Sequence, residues 1–148
     1  MKGTGETPMK RRLLPLLFGL LVPALCTCAH AQIVIIANPN VPVTGVSKTE
    51  LRDIFTGAST SLKGDVQVTP VLLKQGAVQD EFLSLYIGKS DTGFRAGWRS
   101  VLFSGQGVLP KTLDSEAAVV EYVAHTPGAI GYIGRSAPHE GVKVLAVR

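Results

Sequence analysis

The sequence predicts an α/β domain in which helices flank one small mixed sheet. The first indication is the continuous apolar and largely β-branched run of residues 33–37, which is typical of a strand buried on both faces. The second is that segments with helical apolar spacing alternate with a few short strand-like runs. The resulting order, β-α-β-α-α-α-β-β, is typical of helices layered on a single sheet.

The first half of the domain contains a strand, a helix and a second strand. Residues 47–50 (Ser-Lys-Thr-Glu) have the pattern of a capping box, which starts a helix by satisfying two of its free N–H groups. Apolar residues follow at helical spacing, and Gly57 can end this helix. Residues 58–65 are polar and predict turns. Residues 66–73 have strand character, and Pro70 among them favours an edge strand or a strand start.

The second half contains three helices and two strands. Apolar residues at helical spacing predict one helix over residues 78–86 and another over residues 94–102. A third helix is predicted over residues 114–123, with an N-cap at the first or second of these positions. A turn and a short apolar strand follow in residues 126–133, and residues 142–147 are the last strand.

Residues 1–31 have the organisation of a secretory signal peptide. A basic stretch at residues 10–12, an apolar run over residues 13–25 and the small-residue pattern Ala-His-Ala at residues 29–31 occur in the usual order. The apolar run is shorter than the roughly 20 residues that a membrane-spanning helix needs. We therefore expect a mature domain over residues 32–148, a periplasmic or secreted location, and membrane contact only through the transient export signal.

Two features of this leader stay open in the sequence. Translation can start at Met1 or at Met9, because the basic stretch follows both. Cys28 stands where the acylated cysteine of a lipoprotein would, although Thr27 is larger than the residue usual before that cysteine. Both cysteines of the chain, Cys26 and Cys28, lie in the leader. The mature domain therefore has no thiol for a disulfide, a nucleophile or a metal ligand.

Charge and residue content argue against several classes of function. Four of the 15 basic and one of the 11 acidic residues lie in the leader, which leaves the domain at about +1 and argues against a nucleic-acid partner. His125 and His139 have no ligand-like spacing, so we expect no metal and no cofactor. Asp80 and Glu81 are adjacent on a helix, where their side chains diverge, and no nucleophile–base pair is recognisable. We expect a protein that is not an enzyme.

Two loops lead from a strand into a helix and can bind an anion through backbone N–H groups. A helix N-terminus has free N–H groups and the positive end of the helix dipole, and glycine lets an anion approach closely. One loop follows the second strand, and the other follows the first strand and ends at Gly45. Loops of both kinds also occur with nothing bound. The candidate ligand-binding residues are Lys74, Gln75, Gly76, Ala77, Asn38 and Asn40.

Three segments carry a family resemblance. Residues 50–57 contain Leu-x-x-Ile-Phe-x-Gly, residues 66–82 form a strand–loop–helix pattern, and residues 121–133 contain Thr-Pro-Gly-Ala-Ile-Gly-Tyr. In this order they resemble the phosphate ABC-transporter substrate-binding proteins and span most of residues 32–148. The resemblance implies a single lobe of the type II periplasmic-binding-protein fold. It also implies a solute-binding protein with phosphate or another small oxyanion as ligand and an ABC permease or another envelope protein as partner.

The binding loop departs from the pattern of that family. In its full members a basic residue precedes a Ser-Gly-Thr that opens a helix and grips phosphate between two lobes. By register to Phe82, Lys74 takes the basic position and Val78-Gln79-Asp80 stands where Ser-Gly-Thr would be. Two hydroxyls are lost and a carboxylate is added, while Gly76 can shift the loop by two residues. The alternative function is a ligand-free interaction module that docks on an envelope protein or a membrane sensor.

Overall fold

The computed structural model of the chain describes Gly3 and residues 32–105, 107 and 109–148. Apart from Gly3, the predicted leader lies outside these residues, so the signal peptide, its cleavage site and lipidation at Cys28 stay predictions. The predicted α/β class is confirmed, because a six-stranded mixed sheet is flanked by helices. Within the described part of the chain, no helix is both long enough and apolar enough to cross a membrane.

The described elements are eight strands, four α-helices and one π-helical segment. The strands are β1 (Ile33–Ala37), β2 (Gly45–Val46), β3 (Ser61–Leu62), β4 (Val66–Gln67), β5 (Thr69–Leu73), β6 (Lys111–Leu113), β7 (Ala129–Gly134) and β8 (Lys143–Val147). The helices are α1 (Lys48–Thr56), α2 (Ala77–Phe82), α3 (Asp91–Phe103) and α4 (Glu116–His125). The π-helical segment, Leu83–Ile87, continues directly from α2.

The sheet has the strand order β2-β8-β1-β7-β5-β6, and β3 and β4 form a separate hairpin. β1 is antiparallel to both β7 and β8, whereas β5 is parallel to both β7 and β6. The carboxyl ends of β5, β6 and β7, at Leu73, Leu113 and Gly134, therefore lie at one edge, which we call the carboxyl edge. Pro70 is the second residue of β5, which agrees with a strand start rather than an edge strand.

β7 is the most deeply buried strand of the sheet. All six of its residues are buried, and they pair with β1 on one side and β5 on the other. Gly131 lets α4 lie close to the strand, since a Cβ at this position would be 3.0 Å from Val119 Cγ1 and 3.4 Å from Val123 Cγ2. A larger residue here would push α4 away from the sheet.

Three aromatic side chains join α1, α2 and β7. The rings of Phe82 and Tyr132 are stacked, with centroids 3.8 Å apart and planes at 4°. Phe55 of α1 meets both rings edge-on, at 4.9 and 5.7 Å. The Tyr132 hydroxyl accepts a hydrogen bond from the Leu73 N–H at 3.0 Å. This cluster therefore holds two helices and the end of β5 against the central strand.

Each of the long helices begins at a serine cap. The predicted capping box is present: the Glu50 N–H donates to Ser47 Oγ at 3.1 Å, and the Ser47 N–H donates to Glu50 Oε2 at 2.8 Å. The hydrogen bond from the Ser47 backbone holds the pKa of Glu50 below its ordinary value. Ser90 caps α3 and Ser115 caps α4 in the same way.

The short strands differ from the prediction. β3 lies inside residues 58–65, which the sequence predicted as turns, and β2 and β6 were not predicted at all. Each has only two or three residues and is defined by pairing with a partner strand rather than by its own composition. Strand propensity depends on such neighbours, so a local pattern gives little signal for these elements.

We expect Tyr132→Phe to lower the free energy of unfolding by about 1–3 kcal/mol, because the Leu73 N–H then stays buried without an acceptor. Burial raises the pKa of the Tyr132 phenol well above its ordinary value of 10.0. The neutral phenol therefore stabilises the fold fully below about pH 10, and this contribution falls as the pH rises further. Urea unfolding near neutral pH and above pH 10 measures both effects.

Tyr86→Phe is the matched control, since Tyr86 also packs on Phe82 but makes no hydrogen bond through its hydroxyl to any described residue. We expect a change within about 0.5 kcal/mol for this variant. A loss of stability equal to that of Tyr132→Phe, or an unchanged alkaline decrease in Tyr132→Phe, would contradict the role given to the Tyr132 hydroxyl.

Candidate anion-binding loop

The predicted loop Lys74-Gln75-Gly76-Ala77 connects β5 to α2 at the carboxyl edge of the sheet. Gly76 is the N-cap of α2, with φ 118° and ψ 176°. This conformation is open to glycine and strained for residues with a Cβ. The loop therefore turns sharply at Gly76, and α2 begins immediately after the turn.

The first N–H groups of α2 lack an acceptor among the described residues. The first backbone hydrogen bond across this start runs from the Asp80 N–H to the Gly76 carbonyl at 3.0 Å. No side chain caps the helix, and none of the described residues accepts from Ala77, Val78 or Gln79 N–H. Unsatisfied N–H groups at a helix start are the donors that bind anions in proteins.

The base of the loop is fixed to its neighbours on both sides. The Lys74 N–H donates to the Leu113 carbonyl of β6 at 2.9 Å. The Lys74 carbonyl accepts from Arg95 of α3, whose guanidinium is also held by Asp91 at 2.8 Å. These contacts fix the backbone at the start of the loop, so the turn that carries the free N–H groups is held in place.

Charges of both signs surround the loop. Lys74 Nζ lies 3.6 Å from Asp114 Oδ1, and both side chains are mostly exposed, at 64% and 85%. Such a surface ion pair contributes little and can exchange for another anion. Asp80 is exposed on the first turn of α2, and Arg135 directly follows β7 at the same edge. The positive and negative side chains here largely offset each other.

Glu116, the first residue of α4, adds a carboxylate at the carboxyl edge. Its Oε1 accepts from the Gly134 N–H at 2.6 Å. A Cβ at Gly134 would lie 3.0 Å from this oxygen and 3.4 Å from Val78 Cγ2. The starts of α2 and α4 therefore meet at the end of β7, and Glu116 satisfies one of the N–H groups found there.

The other two candidates, Asn38 and Asn40, lie at the opposite edge of the sheet. Asn38 is buried, and its Nδ2 donates to the carbonyls of Val123 and Ala124 at 2.8 and 3.1 Å. Asn40 Oδ1 accepts from the Gly128 N–H at 3.0 Å. The length of β5 separates them from Lys74 by about 16 Å. The structure thus brings Lys74, Gln75, Gly76 and Ala77 together but not the asparagines, whose side chains support the turn after α4.

The two described histidines, His125 and His139, each lie within hydrogen-bond distance of a backbone carbonyl close by in the chain. His125 Nδ1 lies 2.9 Å from the Glu121 carbonyl oxygen, and His139 Nδ1 lies 2.9 Å from the Ala137 carbonyl oxygen. Among the residues that the structure describes, no three His, Cys, Asp or Glu side chains are grouped as metal ligands.

Sequence reasoning missed Arg95, Glu116 and Arg135. The i, i+4 spacing of Asp91 and Arg95 was visible and predicts their ion pair, but not the bond from Arg95 to the Lys74 carbonyl. Glu116 and Arg135 reach the carboxyl edge only because β5, β6 and β7 are parallel neighbours. Knowledge of that strand order would have identified both residues.

Solved structures that are similar to this chain are phosphate-transport binding proteins, which confirms the predicted resemblance at the level of fold. An ABC-type phosphate transport receptor from Vibrio cholerae has a TM-score of 0.59 and 22% identity. A phosphate ABC transporter substrate-binding protein from Clostridium perfringens, solved with bound phosphate, has a TM-score of 0.60 and 22% identity. PstS from Borrelia burgdorferi has a TM-score of 0.57 and 19% identity.

Each comparison covers 78% of this chain but only 45%, 44% and 47% of the three proteins, respectively. The chain therefore spans less than half the length of the proteins it resembles. No family model matches the sequence. Together the sheet, the flanking helices and these similarities show a fold that is similar to part of the phosphate-transport binding proteins.

We expect Gly76→Ala to destabilise the turn by about 1–3 kcal/mol, because alanine rarely adopts a φ of 118°. A Cβ at Gly76 would meet nothing within 4 Å, so the backbone conformation alone causes this cost. Gly97→Ala in the middle of α3 is the control, and we expect it to stabilise by about 0.5–1 kcal/mol. Urea unfolding of both variants gives the comparison; an unchanged stability of Gly76→Ala would contradict the strained turn.

Proposed function

We propose that this chain is an exported, non-enzymatic solute-binding lobe that holds phosphate or another small oxyanion at the start of α2. The anion is bound by the backbone N–H groups of Gly76 and Ala77 in the turn. The Gln75 N–H lies beside them, and Lys74 supplies positive charge. The proposed location is the periplasm or the exterior, and the proposed partner is an ABC permease or another envelope protein. Asn38 and Asn40 have no part in this site.

The observation that carries the proposal is the uncapped start of α2. The N–H groups from Ala77 to Gln79 lack an acceptor among the described residues; of these residues Ala77 is exposed at the carboxyl edge, Val78 is half-buried and Gln79 is buried. An oxyanion can accept from more than one of these groups at once. The similarity to a Clostridium perfringens protein that was solved with bound phosphate supports the same choice of ligand.

The surrounding charges indicate weak and exchangeable binding. Lys74 attracts an anion, but Asp80, Asp114 and Glu116 repel one. Each exposed charge contributes on the order of 1 kcal/mol at these separations. The described loop covers an anion on one side only, so much of the ligand stays in water. We therefore expect a dissociation constant in the millimolar to high micromolar range.

Titration calorimetry with inorganic phosphate on the purified protein tests the proposal. At about 0.01 M ionic strength, where charges act over about 30 Å, we expect measurable saturable binding. Lys74→Gln removes the positive charge and weakens binding by about fivefold. Glu116→Gln removes a repelling charge but keeps an oxygen for the Gly134 N–H, and it strengthens binding by a similar factor.

Lys48→Gln is the matched control, because Lys48 is exposed and lies beside β2, four strand spacings from β5 in the sheet. At about 4.8 Å for each spacing, it lies roughly 19 Å from β5, so we expect Lys48→Gln to weaken binding much less than Lys74→Gln does. Absence of binding at millimolar phosphate, or an equal loss in Lys48→Gln and Lys74→Gln, would reject the anion site.

A second candidate function is a ligand-free interaction module, which one surface feature favours. Phe103 at the end of α3 is 90% exposed; Leu102, its neighbour in the chain, and Leu109, six residues further on, are exposed as well. Exposed apolar groups of this size are typical of surfaces that another protein covers. Retention of an envelope protein by the native chain, and its loss in Phe103→Ser, together with no phosphate binding, would favour this function over the anion site.

A further inference from the structure

A second possible ligand site lies between α3 and the β5–β6 end of the sheet. It is a cavity of about 440 Å³, within the range of small-molecule pockets. Leu72 and Thr112 lie directly opposite each other in the register of β5 and β6 and form one side. Phe94 and Trp98 of α3 form the other side. The walls are therefore mainly apolar and partly aromatic.

Gln79 adds an unusual polar group to this apolar wall. Its side chain is only 1% exposed, and its Oε1 has no hydrogen-bond partner among the described residues. A buried amide oxygen without a donor costs about 1–3 kcal/mol. A ligand hydroxyl or N–H group in the cavity would satisfy this oxygen. Gln79 thus specifies a hydrogen-bond donor on one end of the ligand.

The charged residues that line the cavity, Arg95 and Arg99, specify the other end of the ligand. Arg95, Trp98 and Arg99 have i, i+3 and i+4 spacing on α3, so all three face the cavity from one side of the helix. Arg95 is already held by Asp91 and by the Lys74 carbonyl. Arg99 has neither an ion-pair partner nor a side-chain hydrogen bond within the described part of the chain. Its guanidinium is therefore free to bind a carboxylate with two hydrogen bonds.

Trp98 presents its ring rather than its N–H group to a ligand. The indole Nε1–H donates to the Phe55 carbonyl at 2.8 Å, which fixes the orientation of the ring. A fixed indole surface next to Phe94 favours a flat aromatic ligand through offset or edge-on packing. The wall therefore specifies the middle of the ligand, between its donor and its carboxylate.

From these groups we infer that the cavity binds a small aromatic carboxylate that carries a hydroxyl or N–H group away from the carboxylate. The aromatic ring packs on Trp98, Phe94 and Leu72. The carboxylate binds Arg99, and the hydroxyl or N–H donates to Gln79 Oε1. This site is distinct from the proposed anion site, whose donors are backbone N–H groups on the Gly76 turn.

The fluorescence of Trp98 gives a direct readout, because it is the only tryptophan in the chain. The probes are 4-hydroxybenzoate, 4-hydroxyphenylacetate and 3-(4-hydroxyphenyl)propionate, which differ in the spacing of hydroxyl and carboxylate. We expect at least one to change the emission saturably. The same compound without its hydroxyl binds about three- to tenfold more weakly, as one hydrogen bond to a buried amide predicts.

Two variants and one control test the assigned contacts. Gln79→Met keeps the side-chain volume but removes the hydrogen-bond acceptor, so it abolishes the preference for the hydroxylated compound. We expect this variant to fold, because the oxygen that it loses had no partner among the described residues. Arg99→Gln weakens both compounds by about tenfold or more. Arg52→Gln, on the exposed side of α1, leaves both affinities unchanged.

Three results would overturn the inference. The first is the absence of a saturable fluorescence change with any of the three probes at about 10 mM, which indicates that water alone fills the cavity. The second is a Gln79→Met variant that still prefers the hydroxylated compound. The third is equal affinity for the probe in Arg99→Gln and Arg52→Gln. Lys74→Gln separates this test from that of the proposed function. It weakens phosphate binding but leaves the affinity for the aromatic carboxylate unchanged, so either proposal can fail alone.

Discussion

The position of the candidate site depends on one side chain, Tyr132. Its ring stacks on Phe82 of α2 and meets Phe55 of α1, while its hydroxyl accepts from the Leu73 N–H at the end of β5. The strand that bears the loop and the helix that follows it are therefore both fixed to the same residue of β7. Because β7 is buried along its whole length, this attachment is rigid, and the turn at Gly76 is held between two supported elements.

Electrostatics decides what that turn can bind. A free helix start attracts an anion, but its effect is limited to the first turn and is of the same size as that of a nearby charge. Lys74 and Arg135 add to it, whereas Asp80, Asp114 and Glu116 oppose it. The similar phosphate-transport proteins are more than twice as long as the part that this chain matches. In the proposed anion site, the backbone donors therefore act together with side-chain charges of both signs, which water screens.

Much of the fold could be predicted because its signals are local. The capping box at Ser47 and the helical spacing of α3 and α4 depend on residues within a few positions of each other, and all three helices are present. β2, β3 and β6 depend on distant partners and left no such signal. The same limit applies to the site. The loop at Gly76 was recognisable because it follows a strand and precedes a helix in the chain. Asn38 and Asn40 lie at the opposite edge because β1 pairs antiparallel with β7, which the local sequence does not show.

Arg95 keeps the two proposed sites apart. Its guanidinium is held by Asp91 and the Lys74 carbonyl, so it stabilises the base of the loop and is not free to bind a carboxylate in the cavity. Arg99, one helical turn later, takes that role because no described carboxylate neutralises it. The anion site is covered on one side, whereas the cavity is a half-open cleft lined by residues of α2, α3, β5 and β6. A ligand in the cleft would contact side chains of four elements, including a buried amide, so the cleft offers a single lobe more means to discriminate between small molecules than the backbone donors of the loop do.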